Sequence, residues 1–193
     1  MEGEAVVMRR GVAIVLLATM LLSCSNSDQN VDKGFAVRRL FMQEAGVRFD
    51  ADITADYGDM THSFSVQCEA ASTGEVAFTV LKPDTISGVK GNISASGGQL
   101  LFGDKVLLFE PMVFGQISPV LAPWLMVKAI LGGYIQSQSA NKDGYQLIID
   151  DTYENAELQL VLTLNREGIP ILGEIIWSNR RILTIHITHF DKV

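Results

Sequence analysis

Alternation of apolar and polar residues is the dominant pattern along this chain. Val47, Phe49, Ala51, Ile53 and Ala55 interleave with Arg48, Asp50, Asp52 and Thr54. A two-residue period of this kind predicts a strand with one buried and one wet face. Tyr57-Gly58-Asp59 supplies a turn, and the return strand sets Phe64, Val66 and Cys68 against Ser63, Ser65, Gln67 and Glu69. Further strands are predicted near residues 75–81, 86–93, 99–102 and 106–109, with Gly103-Asp104 as a tight hairpin turn. The C-terminal third repeats the pattern near residues 133–137, 145–150, 157–164, 171–177 and 182–190. Asn165-Arg166-Glu167-Gly168 and Ser178-Asn179-Arg180 read as hairpin turns.

Two segments break this rhythm. Val31, Phe35, Leu40, Phe41 and Met42, mixed with Arg38, Arg39 and Glu44, predict a first helix near residues 31–45 with one apolar face, ended by Gly46. The second segment opens with Ser118-Pro119, an N-cap followed by proline at the first helical position. It runs through residues 119–131 with Lys128 as its only charge and closes at Gly132-Gly133. A helix apolar on nearly every side must be enclosed or meet lipid, and this one is too short to span a bilayer. A long antiparallel meander around such a helix predicts a mainly β, α+β fold. Its sheet is a curved, incomplete barrel, with an apolar concave side that helices fill or cover.

The N-terminus carries a different signal. Arg9 and Arg10 precede an apolar run over residues 12–22 that ends in Leu21-Leu22-Ser23-Cys24. Basic residues, a short apolar stretch and a small residue before the cleavage point are the layout of a secretory signal. The ending resembles a lipobox, whose cysteine is lipidated and becomes the new N-terminus. The alternatives are an uncleaved anchor or an ordinary signal peptide. Glu2 and Glu4 sit where positive charge is favoured, which points to Met8 as the start or to a tolerated extension. We therefore divide the chain into a signal peptide at residues 1–23, a lipidated terminus and polar tether at 24–33, and one domain at 34–193. Cys24 is the expected lipid attachment site, and acyl chains such as palmitate the expected membrane anchor. This places the domain on the extracytoplasmic face of the cell membrane.

Charge narrows the function classes. The chain has formal charge −7, and an acidic domain lacks the electrostatic footprint of nucleic-acid binding. It likewise gains nothing from anionic headgroups. Once Cys24 is lipidated only Cys68 remains, so no internal disulfide can form. Cys68 falls on the apolar side of its strand and is expected to be a small buried core residue.

A search for chemistry yields little. His186 and His189 are three apart, which on a regular strand sends them to opposite faces. Asp150-Asp151-Thr152-Tyr153-Glu154 lacks the spacing and glycine of a calcium loop. Asp50 and Asp52 alternate with the apolar set and should point to water, and His62 is expected on the surface. There is no nucleophile elbow or phosphate loop. No catalytic residue, metal site or cofactor is expected, and the protein is not expected to be an enzyme. The informative class is apolar. Phe102, Phe109, Phe114, Trp124, Leu125 and Met126 are candidates to line a cavity for acyl chains, with ordinary core packing as the alternative for each.

The chain resembles the LolA/LolB-like superfamily of lipoprotein carriers, and more closely small lipoproteins from Gram-positive anaerobes. The resemblance is carried by residues 49–59, by Val80-Leu81-Lys82-Pro83-Asp84-Thr85-Ile86-Ser87-Gly88, by Ile117-Ser118-Pro119 opening the apolar helix, and by Glu174-Ile175-Ile176-Trp177 before Arg181-Ile182-Leu183-Thr184. It implies an eleven-strand, unclosed half-barrel whose cavity receives acyl chains or a protein partner, and no catalytic residues travel with it. Shared fold does not fix shared function. Two readings follow: a surface lipoprotein that binds a lipid or lipoprotein acyl chain, or an interaction module that controls a cell-envelope enzyme or envelope signalling.

Overall fold

A computed structural model describes residues 28–110, 117–152 and 157–192. The chain begins with helix α1 (Asp28–Phe41) and continues through β1 (Val47–Asp56), β2 (Thr61–Ala70), β3 (Val76–Lys82), β4 (Lys90–Ser94), β5 (Gly97–Phe102) and β6 (Lys105–Phe109). A 3-10 turn (Pro119–Leu121) leads into α2 (Ala122–Gly132). The last strands are β7 (Tyr134–Asn141), β8 (Gly144–Asp150), β9 (Leu158–Asn165), β10 (Pro170–Trp177) and β11 (Arg180–Lys192). All pair antiparallel in one 11-stranded sheet, ordered β6-β5-β4-β3-β2-β1-β11-β10-β9-β8-β7. The first and last strands of the sheet, β6 and β7, do not pair with each other, so the barrel is unclosed. This is the strand number and open form that the family resemblance implies.

The alternation seen in the sequence sets the faces. Val47, Phe49, Ala51, Ile53 and Ala55 are buried on β1, and Leu158, Leu160, Leu162 and Leu164 do the same on β9. The outer face is a hydrogen-bonded polar surface. Ser65 donates to Asp52, Gln67 to Asp50, and Arg48 to Glu69. Asp50 and Asp52 thus lie outside the core, as their alternation requires.

Helix α2 fills the concave side. It packs on α1 and on β3, β8, β9, β10 and β11. Ala122 through Val127, Ala129 and Ile130 are buried, and Lys128 reaches out to Asp151 at 2.5 Å. Of the two options for an all-apolar helix, enclosure is the one realised. Helix α1 covers it with a stripe of Gly34, Val37 and Phe41, spaced as one helical face. Gly34 permits close approach, because a Cβ there would lie 2.8 Å from Ile135 Cδ1. Arg38 ties the two helices together. Its Nε and Nη2 donate to the carbonyls of Ile130 and Gly133 at 2.7 and 2.5 Å, which satisfies acceptors left open at a helix C-terminus.

Several local expectations change. Helix α1 starts at Asp28, inside the segment read as tether, and ends at Phe41 rather than near residue 45. Phe35 lies off its buried stripe and is exposed. The fourth strand starts at Lys90, because residues 83–89 turn: Ile86 N–H donates to Pro83, and Gly88, at φ +84, donates to Val80. Ser118 makes no side-chain cap; its carbonyl instead accepts from Leu121 N–H at 3.1 Å. Pro119 and Pro123 remove two N–H groups from this region, which leaves less for a cap to satisfy.

Cys68 is fully buried on the concave side. Burial, with the Asp50 carboxylate nearby, pushes its thiol far above the ordinary range. The thiolate is the reactive form, so the native protein should resist thiol reagents and react only on unfolding. A raised acid pKa means that the unfolded chain loses its proton first. The contribution to stability therefore falls as pH rises beyond the thiol's usual value of about 8.5. Fast stoichiometric labelling of native protein would contradict this burial.

Candidate apolar cavity

A cavity of about 960 Å³ opens at one end of the half-barrel. Its walls come from four places. The β1–β2 hairpin contributes Tyr57, Met60 and His62; the β5–β6 hairpin contributes Leu100, Leu107 and Phe109; the segment entering α2 contributes residues 117–121; and the β10–β11 hairpin contributes Trp177, Ser178, Arg180 and Ile182. Glu110 completes the lining. The size falls within the range of about 300–1,000 Å³ typical of small-molecule sites, as does a mostly apolar wall with few polar groups.

Local geometry explains the arrangement. Ser178 and Asn179 both have positive φ, 49° and 61°, as a two-residue hairpin of the type I′ class requires. This tight turn makes Arg180 the first residue of β11, opposite Trp177. The Tyr57 phenol donates to the Ile117 carbonyl at 2.6 Å, linking the β1–β2 hairpin to the wall before α2. Partial burial raises the Tyr57 pKa, so the phenol keeps the proton this bond needs. The Tyr57 and His62 rings lie 6.5 Å apart between centroids. On β5, Gly98 makes room for an aromatic ring: a Cβ there would meet Phe109 Cζ at 2.3 Å. That contact lays the Phe109 ring against the sheet.

The residues expected to line a cavity are dispersed. Phe109 does line it. Phe102 is 46% exposed at the end of β5. Trp124, Leu125 and Met126 are buried in the core beneath the cavity's entrance segment and are not among its lining residues. Phe114 lies outside the described residues, as does Cys24. Reading by composition missed Tyr57, Met60, Leu107, Trp177 and Arg180. Tyr57 and Met60 stand in the β1–β2 turn, where an apolar or aromatic residue has no strand face to account for it, and that is the available signal.

Among the described residues no group of three or more His, Cys, Asp or Glu side chains is arranged to hold a metal ion. One expectation is nevertheless corrected. A bulge at Asp50/Ala51 shifts the register, so that His189 opposes Asp50 and His186 opposes Asp52. Cross-strand partners share a face, so both histidines lie on the outer polar face rather than on opposite ones. His189 pairs with Asp191 at 2.8 Å.

No family model and no curated protein matches the chain. Solved structures with similarity include a LolA superfamily protein from Nitrosomonas europaea, with 6% identity, 83% of this chain and 93% of that one covered, and a TM-score of 0.46. A DUF1329 family protein from Desulfovibrio piger shows 8% identity, 83% and 90% coverage, and a TM-score of 0.47. A chain from the complex of the Clostridioides difficile CwlD amidase with the GerS lipoprotein shows 11% identity, 88% and 94% coverage, and a TM-score of 0.35. The architecture assigned here rests on the strand order and buried faces of this chain itself.

Proposed function

We propose that this is a non-enzymatic extracytoplasmic lipoprotein, anchored through Cys24, that binds an apolar ligand such as a lipid or the acyl chain of a lipoprotein in the half-barrel cavity. The observation that carries the reading is the 960 Å³ apolar cavity at the barrel end. Apolar walls favour transfer of hydrocarbon from water, at roughly 25 cal/mol per Å² buried. Met60 and Leu107 line it while remaining 60% and 55% exposed, so an apolar ligand would cover surface that now faces water. Titration with the uncharged dye N-phenyl-1-naphthylamine should give saturable binding that Leu107→Asp weakens. Leu107 is exposed, so this variant should fold. Absence of saturable binding by the folded parent would remove the ligand reading.

One observation favours the second reading, an interaction module. Strand β6 is an outer strand of the sheet, and Val106, Leu107 and Leu108 are all exposed, Leu108 at 73%. An outer strand with apolar residues on both faces suits addition of a partner's strand. An envelope protein is then the partner, and Leu108→Lys should abolish its binding while leaving dye uptake intact.

A further inference from the structure

We propose that the cavity selects amphiphiles with an anionic head and an apolar tail, and that Arg180, assisted by His62, holds the head. This rests on the ligand-binding reading above and adds the class of ligand. The polar lining is segregated. Arg180 follows the β10–β11 turn and His62 lies on β2 near the β1–β2 turn. Strand β1 is the shared neighbour of β2 and β11, with Ala55 opposite His62 on one side and Leu183 on the other. Both donors therefore sit at the same end of the barrel. The acid in the lining, Glu110, comes after the end of β6 that lies away from the Gly103-Asp104 turn.

Arg180 is held in place without being saturated. Its Nη2 lies 3.3 Å from both the carboxylate and the carbonyl of Asp56. Both side chains are more than half exposed, and a pair of that kind contributes about 0–1 kcal/mol. A guanidinium carries five N–H donors in a planar fork, so it can accept a second anion in bidentate fashion beside Asp56. The tail would then extend along Leu107, Phe109 and Val120. Because the whole chain is acidic, at −7, a preference for anions cannot come from its overall field and must be local.

The test uses the chain from Ser25 onward, which includes every described element, and three dodecyl probes that differ only in head group: laurate, dodecanol and dodecyltrimethylammonium. Each displaces N-phenyl-1-naphthylamine below its micelle concentration. Laurate should bind about 10-fold more tightly than dodecanol, the size of one charge-assisted contact, and the cation most weakly. Arg180→Gln should bring laurate to the level of dodecanol and leave dodecanol unchanged, and Arg180→Lys should retain part of the difference. Equal binding of laurate and dodecanol by the parent overturns this inference while leaving the cavity reading intact. A preference for laurate that survives Arg180→Gln overturns the role of Arg180. Failure of the dye itself to bind removes both readings together.

Discussion

Trp124→Ala should lower the stability of the domain by about 3–5 kcal/mol, the usual cost of truncating a buried aromatic residue to alanine. Trp124 is 5% exposed and lies in the first turn of α2, which the sheet surrounds. Its loss removes apolar burial and leaves a void that neighbours on several strands cannot all close. It also removes the ring beneath Lys128, whose Nζ lies 5.9 Å from the centroid. Domains are stable by only about 5–15 kcal/mol in total, so the substitution threatens folding itself. For a chain of this size each kcal/mol corresponds to roughly 2–4 °C in Tm, and a fall on the order of 10 °C is expected. Leu108→Ala is the control. Leu108 is 73% exposed, and such surface changes usually stay within about 0.5 kcal/mol. Superimposable melting curves for Trp124→Ala and the parent would mean that α2 is not the centre of the core.

How far the sequence carries depends on whether a feature is periodic. Strand β1 was legible residue by residue, because a buried face and a wet face alternate without interruption from Val47 to Asp56. Helix α2 was legible because Lys128 is its single charge, which leaves enclosure or lipid as its surroundings. The bulge opposite Asp50 and Ala51 was not legible. Thr188 is the extra residue, and nothing in its type announces that the register shifts there and carries His189 to the face of His186. The cavity was half legible. Phe109 could be picked out as an apolar residue near a hairpin. Tyr57 and Arg180 fall in predicted turns and Met60 directly follows one, and their two hairpin ends converge only after the sheet curls. Trp124, Leu125 and Met126 drew attention by their hydrophobicity, yet hydrophobicity alone does not distinguish a residue that lines a cavity from one that fills the core under it.

Cys24→Ala should remove the lipid anchor, so that the protein leaves the membrane fraction or persists as an uncleaved precursor. Neither the charge of the domain nor any of its described helices supplies a second anchor. Its net charge of −7 gives no attraction to anionic headgroups. Among the described residues no helix is long and apolar enough to cross a membrane. Acyl chains on Cys24 would supply the anchor. One chain gives only marginal, reversible binding, whereas two or more hold stably, and the diacylglycerol of a lipobox cysteine brings two. Helix α1 starts at Asp28, and a residue spans at most about 3.6 Å. The start of the helix therefore lies within about 14 Å of Cys24, the proposed lipidation site, by that same limit. The experiment is fractionation followed by intact-mass measurement. The parent should stay with membranes through a 1 M salt wash and begin at residue 24. The variant should appear in the soluble fraction or persist as an uncleaved precursor with residues 1–23 still attached. A variant that is cleaved after Ser23 and remains on the membrane would show that the anchor lies elsewhere in the chain.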